Sequence, residues 1–348
     1  MTEDHLNRFA EALPSSGALV LCTHRHPDPD GLGAIVGLEY LLEKKFGLEA
    51  HLVLEGRIRR AENVAMRKLL KIKALPKGSI DPADYQGILV VDSQPCFSHT
   101  HPPGALPILV VIDHHEGPKG ECEEEEESYP FAWVDASYGA TSTMVYHLLK
   151  HFDVEPDRRT ATALFCGVRY DTNNLLRGAT EFDETAFIEL EHMADRQILG
   201  AIDQPPLSRK YFHQMRQAMD SCQDYGALLL TLMGEVQSPE SVAEVADWFL
   251  RLEGQQWSLA GGACDGRYQL SLRCDMEDAD AYPALRFIIG QEGSCGGHGR
   301  MAGGQISLAD RDLEAVVEMV RTRAVELFGL QGEEPQMLLA QETPSRGR

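Results

Sequence analysis

Three apolar runs that each end in acidic or histidine side chains constrain this sequence more than any other feature. The runs cover residues 18–22, 87–91 and 110–112, and they lead into Thr23-His24, Asp92 and Asp113-His114-His115. Apolar runs of this length, rich in β-branched residues, are typical of strands buried on both faces of a sheet. Because parallel strands meet ligands at their carboxyl ends, the pattern predicts an α/β sheet with these side chains gathered at one edge.

The alternation of strand and helix patterns predicts the fold class and the domains. With 348 residues the chain exceeds one ordinary hydrophobic core, and a second series of strands and helices follows residue 220. We expect an α/β protein with a mostly parallel N-terminal sheet flanked by helices and a smaller mixed α/β C-terminal domain. The expected ranges are 1–185 for the N-terminal domain, 186–220 for a helical linker, 221–330 for the C-terminal domain and 331–348 for a disordered tail.

Charge and cysteine usage exclude several classes of partner. The formal net charge of −22 argues against general binding to long duplex nucleic acid or to a membrane surface, since such proteins gather basic residues. The sequence shows no signal-peptide pattern and no apolar stretch long enough to span a bilayer. The eight cysteines form no CxxC pair, which indicates reduced structural thiols in a cytoplasmic protein. A homodimer is compatible with the sequence, which does not specify the oligomeric state.

An acidic run over residues 121–127 shows no periodicity. Clustered like charges repel each other and gain nothing from burial, so the run predicts a solvated loop. A calcium site is the alternative, but the run lacks the spaced ligands and the turn glycine of such sites.

The polar residues at the predicted strand ends have the composition of a metal site. The candidates are His24, Asp28, Asp30, Asp92, Asp113, His114, His115 and Asp171. Carboxylate oxygens mixed with imidazole nitrogens suit manganese, with cobalt, magnesium or zinc as alternatives. A single Asp after a strand is more often a helix cap or a turn residue, but its recurrence at three strand ends favours metal binding. Asp92, alone after the middle strand, is the expected bridge between two ions.

These residues resemble the four ordered motifs of the DHH phosphoesterase family. The motifs are His24–Gly33, Val91-Asp92-Ser93, Asp113-His114-His115 and Gly167–Thr172, and Gly296-Gly297-His298 resembles the glycine-rich motif of the family's DHH-associated C-terminal domain. The resemblance extends from about Ala18 to Phe328. It implies a hydrolase with two divalent metal ions, usually manganese.

The resemblance also implies a role for each site residue. It places His24, Asp28 and Asp92 on one metal ion, and Asp30, Asp92, His114 and Asp171 on the other. His115 would contact the scissile phosphate or protonate the leaving oxygen, and Asp113 would orient the neighbouring imidazoles.

The stretch from Gly293 to Gly304 is the candidate substrate loop of the C-terminal domain. Its glycines, Gly296 and Gly297 among them, allow a ligand to approach the main chain, and His298 and Arg300 can meet a phosphate or stack on a base. The alternative is a tight connection between two elements. Arg273, on a predicted strand, matches an arginine that family members direct at the substrate, and its alternative is a solvent-facing strand residue.

Function follows from the small size of the two domains and from their acidity. The family's compact two-domain members include nanoRNases, 3′-phosphoadenosine 5′-phosphate phosphatases and cyclic or linear dinucleotide phosphodiesterases. We expect hydrolysis of short oligoribonucleotides or of small nucleotide phosphates by metal-activated water, in a cleft between the domains. The alternatives are a dinucleotide phosphodiesterase, an inorganic pyrophosphatase or polyphosphatase, and a non-catalytic nucleotide-binding protein.

Overall fold

The structure is a computed structural model that describes residues 2–56, 58–97, 99–104, 106–117, 128–276 and 278–339, without the side chain of His298. The chain divides into two compact units, one ending at Pro206 and the other beginning at Leu207. This division lies inside the range expected for a helical linker.

The first unit alternates strands and helices. Its elements in chain order are α1 (Glu3–Glu11), β1 (Ala18–Cys22), α2 (Pro29–Leu41), β2 (Glu49–Leu54), α3 (Ala61–Leu69), β3 (Leu75–Pro76), β4 (Tyr85–Val91), β5 (Ile108–Asp113), β6 (Phe131–Val134), α4 (Thr141–His151), α5 (Arg158–Asp171), α6 (Glu181–Met193) and α7 (Arg196–Asp203). The strand order is β3-β2-β1-β4-β5-β6, and all neighbours pair in parallel.

The central strands are buried on both faces, as their apolar runs predict. On β1, Leu19 and Leu21 belong to the large cluster packed by the helices, whereas Val20 and Cys22 belong to a cluster on the opposite face. The same alternation continues along β4 and β5. The parallel sheet flanked by helices therefore confirms the predicted fold class, and it brings the carboxyl ends of β1, β4 and β5 side by side.

The second unit is built on a mixed sheet. Its elements are α8 (Arg209–Ser221), β7 (Cys222–Asp224), β8 (Leu228–Glu235), α9 (Pro239–Phe249), β9 (Trp257–Cys264), β10 (Arg267–Cys274), α10 (Ala281–Ile289), β11 (Gly293–His298), β12 (Met301–Ser307), α11 (Leu313–Leu327) and β13 (Gln336–Met337). The order is β11-β12-β10-β9-β8-β7-β13, with β8 and β9 parallel and the other pairs antiparallel.

Two features of the second unit differ from the sequence analysis. The expected substrate loop is a β-hairpin, in which β11 pairs with β12 from Gly293↔Ile306 to His298↔Met301. The sequence did not predict this strand pairing because its glycines favour a loop, since glycine is uncommon in strands. In the expected disordered tail, Gln336 and Met337 instead pair with β7.

The remaining expectations concern cysteines, acidic residues and membranes. Cys22 and Cys166, which lie in apolar runs, are buried free thiols as expected, whereas Cys96 is disulfide-bonded. The acidic run at 121–127 lies outside the described residues. Within the described ranges, none of the helices has the length and apolar character needed to cross a bilayer.

Candidate metal centre

The ends of three neighbouring strands carry the predicted site residues. His24 follows β1, Asp92 follows β4, and Asp113 is the last residue of β5, directly before His114 and His115. Asp171 comes from a different element, because it is the last residue of helix α5. These four elements supply side chains to one region, and the start of helix α2 adds Asp28 and Asp30.

Asp28 has two structural tasks. It is the N-cap of α2, and its Oδ1 accepts hydrogen bonds from Asp30 N at 2.9 Å and from Gly31 N at 3.1 Å. This is the helix-cap role that a single aspartate often has. The same Oδ1 lies 3.9 Å from Nε2 of His24, so the cap also belongs to the site.

Two groups of side chains have donor atoms close enough to share a cation. The His24 group consists of His24, Asp28 and Asp92, and the His114 group consists of Asp92, His114, His115 and Asp171. Within each group the donor atoms lie within 4.8 Å of one another.

Asp92 belongs to both groups through different oxygens. Its Oδ2 lies 3.6 Å from Nε2 of His24, whereas its Oδ1 lies 3.8 Å from Nε2 of His114. The residue is 2% exposed and has a φ of 55°, a left-handed conformation that aspartate adopts more readily than most residues. Such backbone conformations persist where the surrounding structure holds them, often at functional sites.

Asp30 differs from the other candidate ligands. It is fully buried, and its Oδ2 and Oδ1 accept hydrogen bonds from Thr141 N at 2.7 Å and from Ser142 N at 2.8 Å. It lies outside the two groups defined above, although its Oδ2 is 3.9 Å from Nε2 of His114. Each carboxylate oxygen keeps a second lone pair, so assignment of Asp30 as a ligand stays a prediction.

The pKa values in the site reflect an excess of buried carboxylates. Burial raises the pKa of Asp171 to about 6, assisted by the charge of Asp28. Burial and the neighbouring charges of Asp92 and Asp171 hold the pKa of Asp30 well above its ordinary value. Burial alone would lower the pKa of His114, but Asp171 and Asp30 more than offset it and raise the pKa to about 10. A cluster of this kind carries its full negative charge only when cations neutralise it.

The imidazoles are oriented as metal ligands are. Nδ1 of His24 lies 3.1 Å from the carbonyl oxygen of Arg25, and Nδ1 of His114 lies 3.2 Å from that of Tyr138. A proton on each Nδ1 satisfies these carbonyls and leaves Nε2 with a free lone pair, the arrangement found around protein-bound metals. Nε2 of His114 is buried and lies 3.0 Å from Asp171 Oδ2 without hydrogen-bond geometry.

The backbone leaves room between the ligands. A Cβ at Gly31 would lie 2.8 Å from Oγ1 of Thr23, 3.0 Å from Oδ2 of Asp92 and 3.6 Å from Nε2 of His24. Only glycine keeps this space open. The space, the orphaned Nε2 and the hard oxygen donors together fit divalent cations.

Asp113 lies beside the His114 group and pairs with one of its members, His115. Oδ1 of Asp113 lies 2.8 Å from Nδ1 of His115, and Asp113 is fully buried whereas the His115 side chain is 45% exposed. Burial alone would lower the pKa of His115, but the hydrogen bond that its Nδ1 donates to Asp113 and the charge of that carboxylate raise it. The contact at Nδ1 therefore fixes the orientation of an imidazole ring that is partly exposed to solvent.

The predicted substrate residues of the second unit lie on or near the β-hairpin. Arg273 on β10 has a side chain that is 13% exposed, with Nε 2.5 Å from Oδ1 of Asp247 and Nη1 donating to Oγ of Ser271 at 2.8 Å. Arg300, in the hairpin turn, lies 3.8 Å from Asp275. Both arginines already face a carboxylate, which their positions in the sequence did not indicate.

The glycines of the hairpin differ in what surrounds them. Gly297 has a φ of 146°, and a Cβ there would lie 2.4 Å from the carbonyl oxygen of Met301. Gly296 has no atom within 4 Å of the position of a Cβ, so its backbone is open to a ligand. His298 belongs to β11, but its side chain lies outside the described part of the structure.

Three residues around the site were missed by the sequence analysis. Thr141 and Ser142 hold Asp30, and buried Gln94 donates from Nε2 to Oδ2 of Asp113 and to the carbonyl oxygen of His115, both at 2.9 Å. The Thr-Ser-Thr stretch resembles an ordinary helix start, and Gln94 resembles an ordinary loop residue. No spacing or composition signal separates them from such residues.

Comparison with known proteins agrees with the geometry. Residues 18–168 match the model of the DHH family, N-terminal domain. The chain is 30% identical over 326 residues to an uncharacterized protein of Methanocaldococcus jannaschii, covering 91% of this chain and 65% of the relative. It is 25% identical over 197 residues to the cyclic-di-AMP phosphodiesterase GdpP of Geobacillus thermodenitrificans, covering 52% of this chain and 29% of that protein.

A solved structure shows the same fold. An exopolyphosphatase-related protein from Bacteroides fragilis superposes with a TM-score of 0.74 at 15% identity, covering 94% of this chain and 98% of that chain. The chain spans less than two thirds of the length of the two sequence relatives. The family match over residues 18–168, from β1 into α5, shows that the first unit contains the N-terminal domain of the DHH family.

Proposed function

We propose that this protein is a phosphoesterase with two divalent metal ions that hydrolyses short oligoribonucleotides or small nucleotide phosphates. One observation carries the proposal: the two oxygens of Asp92 face two different histidines, Oδ2 toward His24 and Oδ1 toward His114. A carboxylate placed in this way is suited to bridge a pair of cations.

The proposed ligands follow the two groups. His24, Asp28 and Asp92 would hold one ion, and Asp92, His114 and Asp171 would hold the other. Asp30, whose Oδ2 lies 3.9 Å from Nε2 of His114, is a further proposed ligand of the second ion. Two divalent cations, of which manganese is the first candidate, would screen the charge of phosphoryl oxygens and lower the pKa of a bound water. The mixture of carboxylates and imidazoles, with no thiolate among them, supports manganese over zinc, though cobalt and magnesium also suit this set.

His115 is the proposed contact with the reacting phosphate. Asp113 occupies its Nδ1, so Nε2 is the atom available to donate a hydrogen bond or a proton to a leaving oxygen. Gln94 fixes the other oxygen of Asp113 and the carbonyl of His115. This three-residue arrangement supports a fixed direction of approach for the substrate.

Substrate binding is assigned to Arg273, Gly296, Gly297, His298 and Arg300. The guanidinium of Arg273 and the open backbone at Gly296 support contact with a phosphate and with a sugar or base. The net charge of −22 supports a short substrate, because a long polyanion would be repelled without a basic channel.

A cyclic or linear dinucleotide phosphodiesterase is the second candidate. The likeness to GdpP supports it, because that relative is named for hydrolysis of cyclic di-AMP and matches over 197 residues. The two candidates share the metal centre and differ in whether the substrate has a free end.

A manganese-dependent turnover panel tests both candidates. The substrates are a labelled RNA dinucleotide, a five-residue RNA, 3′-phosphoadenosine 5′-phosphate, cyclic di-AMP and pyrophosphate, each offered to the wild type and to Asp92→Asn. Cleavage of the short RNAs or of the bisphosphate that disappears in Asp92→Asn would support the first candidate. Preference for cyclic di-AMP would favour the second, and turnover of pyrophosphate alone would contradict both.

A further inference from the structure

Thr141, the first residue of helix α4, contacts two of the candidate metal ligands at once. Its backbone N donates to Oδ2 of Asp30 at 2.7 Å, and its Oγ1 donates to Oδ1 of Asp92 at 3.1 Å. Through these two hydrogen bonds Thr141 connects the carboxylates of Asp30 and Asp92. All three residues are at most 2% exposed.

The helix start explains why Asp30 is held so firmly. The first amides of an α-helix have no partner within the helix and are usually satisfied by the N-cap side chain. Here the N-cap is Ala140, which has no side-chain acceptor, and Asp30 from α2 accepts from Thr141 N and from Ser142 N instead. A carboxylate at a helix N-terminus is also favoured by the helix dipole. Asp30 therefore caps α4 from another helix and fixes the position of Thr141.

A second buried carboxylate fixes the same turn from the other side. Asp183 on α6 accepts from Gly139 N at 2.8 Å, from Thr143 Oγ1 at 2.6 Å and from Thr180 N and Oγ1, both at 2.9 Å. The start of α4 therefore cannot shift without breaking several buried hydrogen bonds. Thr141 Oγ1 is consequently held in place against Asp92.

We propose that Thr141 is a positioning residue for the bridging carboxylate of the metal centre. Its hydroxyl, as a donor, occupies one lone pair of Asp92 Oδ1 and sets the rotation of the carboxylate about χ2. In that rotation Oδ1 faces His114 and Oδ2 faces His24, which is the arrangement needed to serve two cations. Without the hydroxyl, the carboxylate turns more freely and one cation loses a ligand in the correct direction. The inference rests on the proposed metal centre and assigns to it a residue that no motif indicates.

The alternative is that Thr141 only stabilises the start of α4. The chain offers a matched control, because Thr143 lies on the same turn, is buried, and donates its hydroxyl to the carboxylate of Asp183, which is not a candidate ligand. Thr141→Val and Thr143→Val each remove one buried hydroxyl with little change in volume. A structural role alone predicts the same behaviour for both variants.

Manganese binding measured by calorimetry on the full chain, together with thermal unfolding, distinguishes these cases. We expect both valine variants to lower the unfolding temperature, but only Thr141→Val to weaken one of two manganese sites, by about 10- to 100-fold. Equal manganese affinities in Thr141→Val and wild type would overturn the inference. A wild type that binds no manganese would instead overturn the proposed function.

A second pair of variants tests the hydroxyl of Thr141 without requiring that valine fit in its place. Thr141→Ser and Thr141→Ala both lack the γ-methyl group and differ only in the hydroxyl. We expect the serine variant to bind two manganese ions with nearly wild-type affinity and the alanine variant to lose affinity at one site. Identical binding by the serine and alanine variants would overturn the inference even if Thr141→Val did not fold.

Discussion

Nε2 of Gln94 donates a 2.9 Å hydrogen bond to Oδ2 of Asp113, a fully buried carboxylate whose other oxygen lies 2.8 Å from Nδ1 of His115. Gln94 also donates to the carbonyl oxygen of His115, so one carboxamide holds both members of the pair. The orientation of His115 toward a substrate therefore depends on a residue two positions after the candidate bridging ligand Asp92.

Replacement of Gln94 tests this dependence. Gln94→Leu leaves the buried Oδ2 of Asp113 without this donor, so we expect a loss of about 1–3 kcal/mol in the free energy of unfolding. The looser orientation of His115 should lower kcat by at least about 10-fold, less than the roughly 10²- to 10⁴-fold contribution of a general acid or base, because the imidazole is misoriented and not removed. Denaturant unfolding and steady-state kinetics measure the two effects. An unchanged kcat in the folded variant would show that Gln94 does not orient His115 for the reaction.

Gly31 tests whether the space between His24 and Asp92 holds a cation. The Cβ of Gly31→Ala would lie 3.0 Å from Oδ2 of Asp92, so we expect the variant to lose one of two bound manganese ions. Gly200→Ala is the control, because that helical glycine has no atom within 4 Å of the Cβ position. The control should gain up to about 1 kcal/mol in stability from helix propensity and bind manganese as wild type does. If Gly31→Ala still bound two manganese ions, the space between His24 and Asp92 would not be a cation site.

His147 on α4 should contribute to the pH dependence of stability. Burial lowers its pKa, assisted by the charge of Lys150, and its Nδ1 lies 3.0 Å from the hydroxyl of Tyr138. Because the unfolded chain binds the proton more readily, the contribution of His147 is fully present above the ordinary pKa of about 6.5 and is lost as pH falls through the folded-state pKa.

The comparison with His147→Gln isolates this effect from other titrating groups. We expect the free energy of unfolding of the wild type to fall more steeply than that of His147→Gln between about pH 7 and pH 5. His213→Gln, at an exposed position on α8, is the control and should follow the wild type. Parallel curves for wild type and His147→Gln would contradict the prediction.

Arg273 tests the substrate assignment in the second unit. Removal of its guanidinium in Arg273→Ala should raise KM by about 10- to 100-fold, the range for a charge-assisted hydrogen bond, and change kcat little. Arg267→Ala removes an exposed arginine on the same strand that is hydrogen-bonded to Gln305, and it should leave KM unchanged. Equal KM values for wild type and Arg273→Ala would show that Arg273 does not bind the substrate.

The sequence predicts the parts of the site that depend on regular strand geometry. Asp92 and Asp113 follow apolar runs, and parallel pairing brings such positions to one edge of the sheet, so their proximity was predictable. The contacts of Thr141 with Asp30 were not, because they join residues 111 positions apart through a helix start. The pairing of Arg273 with Asp247 depends likewise on the packing of α9 over β10, which periodicity does not specify.

Electron paramagnetic resonance of the protein titrated with manganese can detect a pair of cations bridged by Asp92. Two manganese ions that share a carboxylate are magnetically coupled, so we expect a coupled signal at two equivalents per chain. Asp92→Asn should give weaker binding and no coupled signal. A single uncoupled manganese per chain in the wild type, or none, would show that Asp92 does not bridge two cations.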